Sequence, residues 1–383
     1  MMATLSEEQQ LIQKTARDFA MREVLPAAND LDPKREDIPA AILAGLGGLG
    51  FFGLRIPEEF GGLALGCLEY CIVTEELSRA WMSVGSIIRP MIGMQALSAQ
   101  QQQKYLPRMA RGDALGAFAF SEPGAGSDLS NISCRARREG DEWIITGSKY
   151  WCTYADGADY IMLLARTDPD PARRHRGISA FIIDKERGRL PTGVSGNPIP
   201  KIGYFGWKTW ELSFDGARVP HANMLGAEGE GFYVASIGLE VARAHTAARA
   251  IGLARGALED ALAYAKERVQ FGRAIGEFQV IRFKLAQMAT EIEAARQLLW
   301  HVCRMIDTGE RCDKEAAMAK LHATEMAERV TSEALQIFGG AGYTTLHAVE
   351  RYWRDARLTK IFEGTSEIQM RIISDHLLGR SRG

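Results

Sequence analysis

The sequence predicts an α+β fold in which helices flank a central β region, and three observations carry this. Helical periodicity runs from Leu5 to about Leu106, short β-branched and aromatic runs fill roughly Leu115 to Leu225, and long helical patterns return after the glycine-rich Ala227–Phe232. The corresponding domains are a helical one over 1–114, a β domain over 115–228 and a helical bundle over 229–383.

In the first region Leu11, Ile12, Phe19 and Leu25 recur near a 3.6-residue period. The uncharged stretch Ala40–Leu54 holds Gly45, Gly47, Gly48, Gly50 and Gly53 and is too short to span a bilayer, so it reads as a buried helix followed by a turn. Pro57–Gly62 reads as a loop. The middle region reads as strands at EWIITGSKYW (142–151), DYIMLLART (159–167), GISAFIID (177–184) and TWELSFDGARVP (209–220), punctuated by Gly, Pro and Asp. The last region carries apolar residues at i, i+3 and i+4 over about Phe232–Gln270, Phe278–Thr308 and Asp313–Phe338.

Charge excludes several classes of partner. Forty-six basic against forty-eight acidic residues give a net charge of −2, so no global positive field is available for nucleic acid or an anionic membrane. The six cysteines (67, 71, 134, 152, 303, 312) are scattered and form no C-x-x-C pair, which argues against a zinc site and suits reduced thiols in a cytosol. The first residues carry Glu7 and Glu8 and no apolar run, so neither a signal nor a transit peptide is expected, and a cytoplasmic location is.

Five segments hold residues suited to binding or chemistry. In Phe118–Asp128 (FAFSEPGAGSD), Gly124 and Gly126 allow backbone to approach a flat ligand while Ser121, Ser127 and Asp128 offer hydrogen bonds, although the same composition makes an ordinary turn. In Lys149–Thr153, strand alternation points Trp151 and Thr153 the same way, which suits either a ring-flanking wall or a core. Arg268, at a helix end before Phe271 and Gly272, could meet a pyrophosphate or simply complement the helix dipole. Gln336–Tyr343 is a glycine-rich helix exit without the preceding strand that a dinucleotide fingerprint needs. Glu363 stands among apolar residues just before a helix that Thr365 or Ser366 could cap; desolvation would raise its pKa toward that of a useful base, and the helix N-terminus would pull the other way.

In this order and spacing the five segments resemble the acyl-CoA dehydrogenase family over nearly the whole length. The resemblance implies a β-barrel-like middle domain, a C-terminal four-helix bundle and a homotetramer built as a dimer of dimers, with FAD at a subunit interface. It implies that Phe118, Phe120, Ser121, Gly126 and Ser127 line the flavin and that Trp151 and Thr153 pack on its ring. Arg268, Phe271, Gln336, Gly339 and Gly340 would serve the FAD of a neighbouring subunit, and Thr365 and Glu367 the ADP part of their own. In that family a glutamate at the position of Glu363 takes the α-proton of an acyl-CoA while hydride leaves Cβ for flavin N5, and the resemblance implies that role for Glu363. Some relatives carry the base on the first long C-terminal helix instead, where this chain has Ala242. Ser127, Glu240, Arg243 and Gly364 match substrate-contacting positions, and electron-transfer flavoprotein is the implied acceptor.

Two departures bear on the acyl group. Phe205, Trp207 and Trp210 make the 204–210 surface aromatic, and the stretch between Arg79 and Lys104 is shorter than usual and contains Arg89, a candidate to hold a second substrate carboxylate. A short, cyclic, aromatic or dicarboxyl acyl chain is expected. The competing readings are an acyl-CoA oxidase or a carrier-protein-linked dehydrogenase on the same scaffold, and a flavin-binding protein without dehydrogenase activity.

Overall fold

A computed structural model describes residues 5–90 and 93–379. The N-terminal helices are α1 (Glu7–Phe19), α2 (Leu25–Leu31), α3 (Ala40–Gly48), α4 (Cys67–Ala80), α5 (Met82–Ile87) and α6 (Ala99–Arg111). Strands follow: β1 (Gly116–Ala119), β2 (Arg135–Glu139), β3 (Glu142–Thr153), β4 (Tyr160–Arg166), β5 (Ile178–Asp184), β6 (Val194–Pro198), β7 (Thr209–Pro220) and β8 (Met224–Leu225). The chain closes with α7 (Gly231–Ser236), α8 (Leu239–Glu267), a hairpin of β9 (Val269–Gln270) and β10 (Arg273–Ala274), α9 (Gln279–Asp307), α10 (Asp313–Phe338), α11 (Val349–Thr359) and α12 (Ser366–Leu378).

The strand order is β6-β7-β3-β2-β4-β5-β8, with β1 parallel to β4. This sheet curls without closing, since β6 and β8 remain its two ends. Curling follows from which residues share a core. Trp143 and Ile145 of β3, Leu212 and Phe214 of β7, and Ile161, Leu163 and Phe181 of β4 and β5 pack into one cluster, so the two halves face each other. The alternate residues Tyr160, Met162 and Leu164 of β4 and Ile178, Ala180 and Ile182 of β5 pack instead against Tyr105, Leu106 and Met109 of α6. A strand covered on both faces must be apolar throughout, and YIMLLA (160–165) is.

The helices at both ends share a single core. In α4 every residue from Tyr70 to Ala80 is buried, so its charged groups need partners: Glu75 meets Arg296, Glu76 meets Arg255, and Arg79 meets Glu259 and Asp260. Small residues let α8 lie against it. A Cβ on Gly252 would stand 2.4 Å from the Glu75 carbonyl oxygen. The continuous helix expected over Phe232–Gln270 is broken after Ser236, because Ile237 is extended and Gly238 takes a left-handed φ of 79°. Cysteines scattered in sequence converge in space: the sulfurs of Cys67, Cys71 and Cys303, all buried, lie within 4.8 Å of one another. Among the described residues no helix is long and apolar enough to cross a membrane.

Candidate active site

Between α11 and α12 the chain turns through two residues with positive φ, Glu363 at 53° and Gly364 at 93°. Glycine does this freely, but a glutamate there is strained and needs outside support. The support is local: the Thr365 hydroxyl accepts from the Ile368 N–H to start α12, and the Gly364 carbonyl accepts from Lys320 Nζ at 2.7 Å and Gln369 Nε2 at 3.0 Å. Lys320, fully buried on α10, ties the turn to the bundle; burial lowers its pKa to about 8.

The turn aims the Glu363 carboxylate at α8. Its Oε2 accepts from Thr246 Oγ1 at 2.6 Å and from Arg249 Nη2 at 2.5 Å. Arg249 is itself fully buried and also donates to Ser86 Oγ and Thr246 Oγ1. Burial pushes the Glu363 carboxyl up, as expected from sequence, but the Arg249 charge, with the Arg89 charge and the Thr246 hydroxyl adding to it, outweighs burial and brings the pKa to about 2. The expected raised pKa is therefore corrected, and the cause is a counter-ion on another helix. His245, stacked on Tyr70 at 5.0 Å, is buried and held neutral, its pKa lowered to about 3 chiefly by burial, with Arg249 adding to the effect. Thr246 and Arg249 had one sequence signal, two polar residues at i, i+3 on an alanine-rich helix face, and Lys320 had none.

On the β side, Tyr204, from the loop between β6 and β7, packs edge-on to Phe362 at 5.8 Å, so Glu363 lies where sheet and bundle meet. The Phe118–Asp128 segment is anchored to β3 by a buried ion pair, Glu122 with Lys149 at 2.9 Å. The Glu122 carboxylate also accepts from Ser133 N, Ser133 Oγ and Cys134 N, and Lys149 donates to the Phe120 carbonyl. Burial opposes charge on both partners, yet four donors on one carboxylate keep it ionised, and its pKa is lowered. The Phe118 and Phe120 rings lie 5.6 Å apart, and a Cβ at Gly124 or Gly126 would meet nothing within 4 Å. A bulge between Lys149 and Cys152 turns both Tyr150 and Trp151 out of the core; Trp151 has a φ of 62° and is 57% exposed, which decides against a core role. Thr153 is half-buried and hydrogen-bonds Thr209 at 3.1 Å.

Other expected site residues lie apart. Ser127 is exposed in the segment after Gly126, and Glu367 is exposed on the first turn of α12. Glu240 and Arg243 occupy the first turns of α8, where Arg243 is buried beside Asp313 at 3.7 Å. Arg268 and Phe271 follow the far end of α8, about 33 Å from Thr246 at 1.5 Å per residue. Gln336, Gly339 and Gly340 end α10 at that same far end, where Phe338 stacks on Tyr264 at 4.1 Å. Phe271 is 95% exposed. The aromatic surface expected at 204–210 is largely internal: Tyr204 and Trp207 are buried and packed together at 5.2 Å, while Trp210 donates to Asp156. Arg89 lies 4.5 Å above the Phe118 ring and 5.9 Å from that of Trp207.

Comparison with known proteins agrees along the whole chain. Residues 6–113, 117–217 and 229–378 match the N-terminal, middle and C-terminal domains of acyl-CoA dehydrogenase. An acyl-CoA dehydrogenase of Bacillus subtilis (strain 168) is 42% identical, covering 98% of this chain and 99% of the relative. A (2S)-methylsuccinyl-CoA dehydrogenase of Cereibacter sphaeroides is 43% identical over 98% of this chain and 70% of its own. A glutaryl-coenzyme A dehydrogenase solved with glutaryl-CoA superimposes with a TM-score of 0.93 at 35% identity, covering 99% of this chain and 98% of that one. The three-part architecture, the carboxylate turn and these matches together place the chain in the acyl-CoA dehydrogenase family, as an oxidoreductase.

Proposed function

We propose that the protein dehydrogenates an acyl-CoA thioester across Cα–Cβ to the trans-2-enoyl-CoA, with Glu363 taking the α-proton. The observation that carries this is a carboxylate held on a strained turn at the seam of sheet and bundle, with Thr246 and Arg249 fixing one of its oxygens. The other oxygen is left to face the substrate. Arg249 keeps Glu363 ionised at any physiological pH, so the base is ready when substrate arrives. A proton gained at Glu363 weakens its pairing with Arg249, and an apolar acyl chain that displaces water from the turn raises the carboxyl pKa, which favours the transfer.

The residues present fit FAD. Trp151 and Phe271 expose large apolar surfaces that a flat ligand would cover, and the glycines at 124, 126, 339 and 340 leave open backbone for close approach. When bound, FAD supplies the acceptor at N5 for the hydrogen and electron pair leaving Cβ. Phe118, Phe120, Ser121, Trp151 and Thr153 would hold it on the β side, and Thr365 and Glu367 from α12. The separation of about 33 Å along α8 supports contribution of Arg268, Phe271, Gln336, Gly339 and Gly340 to the FAD of another copy, within a homotetramer. Electron-transfer flavoprotein is the proposed acceptor, and a short, cyclic, aromatic or dicarboxyl acyl chain the substrate.

Anaerobic titration of the yellow protein with a panel of acyl-CoAs tests this. Bleaching of the flavin in wild type and none in Glu363→Gln is expected. Bleaching that survives the substitution would move the base elsewhere, a colourless protein would remove FAD, and rapid peroxide release in air would favour an oxidase.

A further inference from the structure

Cations in the interior of this protein meet a carboxylate or, for Lys320 and Arg351, donate to carbonyl and amide oxygens. Arg249 meets Glu363, Arg79 meets Glu259 and Asp260, Arg255 meets Glu76, Arg296 meets Glu75 and Arg354 meets Asp32. Arg89 differs. It is only partly exposed, yet among the described residues no carboxylate lies within ion-pairing distance and no side-chain hydrogen bond engages its guanidinium; its contacts are the rings of Phe118 and Trp207. A guanidinium removed from bulk water without an anion is costly, and two aromatic faces offset that only in part.

Its position links it to the site. Arg89 lines a cavity with Phe118, Trp207, Ile87, Leu115 and Tyr160. From there Trp207 packs on Tyr204, and Tyr204 on Phe362, the residue before the base. The charge of Arg89 is felt at the carboxyl of Glu363 and at the Tyr204 and Tyr160 hydroxyls, as expected of a side chain pointing inward. A chain entering past Glu363 would therefore run between apolar rings and end at a cation.

Resting on the dehydrogenation proposed above, we propose that the acyl group is a short one ending in a carboxylate, a monothioester of a dicarboxylic acid, with Arg89 gripping the distal carboxylate through its planar fork. The rings of Phe118 and Trp207 hold the fork in plane and flank the methylenes. Unlike a lysine, the fork matches both carboxylate oxygens at once. The pairing also leaves the Arg89 charge neutralised when substrate is bound.

The test is the ratio of kcat/KM for glutaryl-CoA to that for butyryl-CoA, measured on the holoenzyme and on Arg89→Met and Arg89→Lys. Wild type is expected to prefer glutaryl-CoA. Arg89→Met is expected to lower the ratio by roughly 10- to 150-fold, the range of one charged hydrogen-bonded contact, and Arg89→Lys to lower it by less. A protein that turns over butyryl-CoA as well as glutaryl-CoA, or a ratio unmoved by Arg89→Met, would overturn the inference while leaving the dehydrogenase reading standing. Turnover of neither thioester, by a protein that still holds its flavin, would bring down both.

Discussion

Replacing Arg249 by methionine removes the guanidinium while keeping a stem of similar length in the fully buried slot. In the native protein Glu363 has its pKa brought from 4.5 to about 2, which favours its charged form by about 3 kcal/mol; a quarter of the side chain remains exposed, so screening makes this an upper figure. A carboxyl with a depressed folded pKa gives stability that is present above pH 4.5 and lost as pH falls through about 2. Without Arg249 the largest charge opposing burial is gone, leaving Arg89 and the Thr246 hydroxyl against it, and the carboxyl pKa rises. The assay is kcat/KM against pH, which reports groups in the free enzyme. Wild type is expected to show no acid limb above about pH 4, and Arg249→Met to show its acid limb displaced to higher pH. Superimposable limbs in two folded proteins would refute the assignment of Arg249 as the group that keeps the base ionised.

Three further outcomes follow from the packing. Glu122→Ala leaves Lys149 buried without its carboxylate, so a loss of about 3 to 5 kcal/mol in denaturant unfolding is expected, with flavin lost before global unfolding because the Phe118–Asp128 segment comes free of β3. Gly252→Ala places a Cβ 2.4 Å from the Glu75 carbonyl and forces α4 and α8 apart; calorimetry should show a destabilisation of about 1 to 3 kcal/mol, and an unchanged melting temperature would contradict the close crossing. Lys320 has a pKa lowered from 10.5 to about 8, so the native protein binds its proton less tightly than the unfolded chain does. Its contribution to stability therefore improves as pH rises from about 8 to 10.5, and wild type should gain on Lys320→Met across that window in urea unfolding.

How much was legible depended on whether a feature is periodic or local. The two outer helical regions and the strands of the middle came from spacing, and the helix over Asp313–Phe338 agrees to the residue because an apolar stripe and acidic first turn mark it fully. Phe232–Gln270 ran on too long, because a helical apolar pattern on both sides hid the left-handed Gly238. The barrel-like middle domain implied by the resemblance is present as a sheet that curls without closing; how far it closes is a matter of long-range strand pairing that no local pattern encodes.

At the site, the residue types of the carboxylate turn and the glycine-rich loops were readable, as was the identity of Glu363 as the candidate base in the absence of an acid at Ala242. The sequence by itself determined the family, the order of the three regions and which short segments carry chemistry, because these reside in local spacing and residue type. Only the tertiary structure decided the charge state of Glu363 and the isolation of Arg89. A pKa depends on which charges from other helices come within a few ångströms, and Arg249 is 114 residues away from Glu363 along the chain but 2.5 Å away in space.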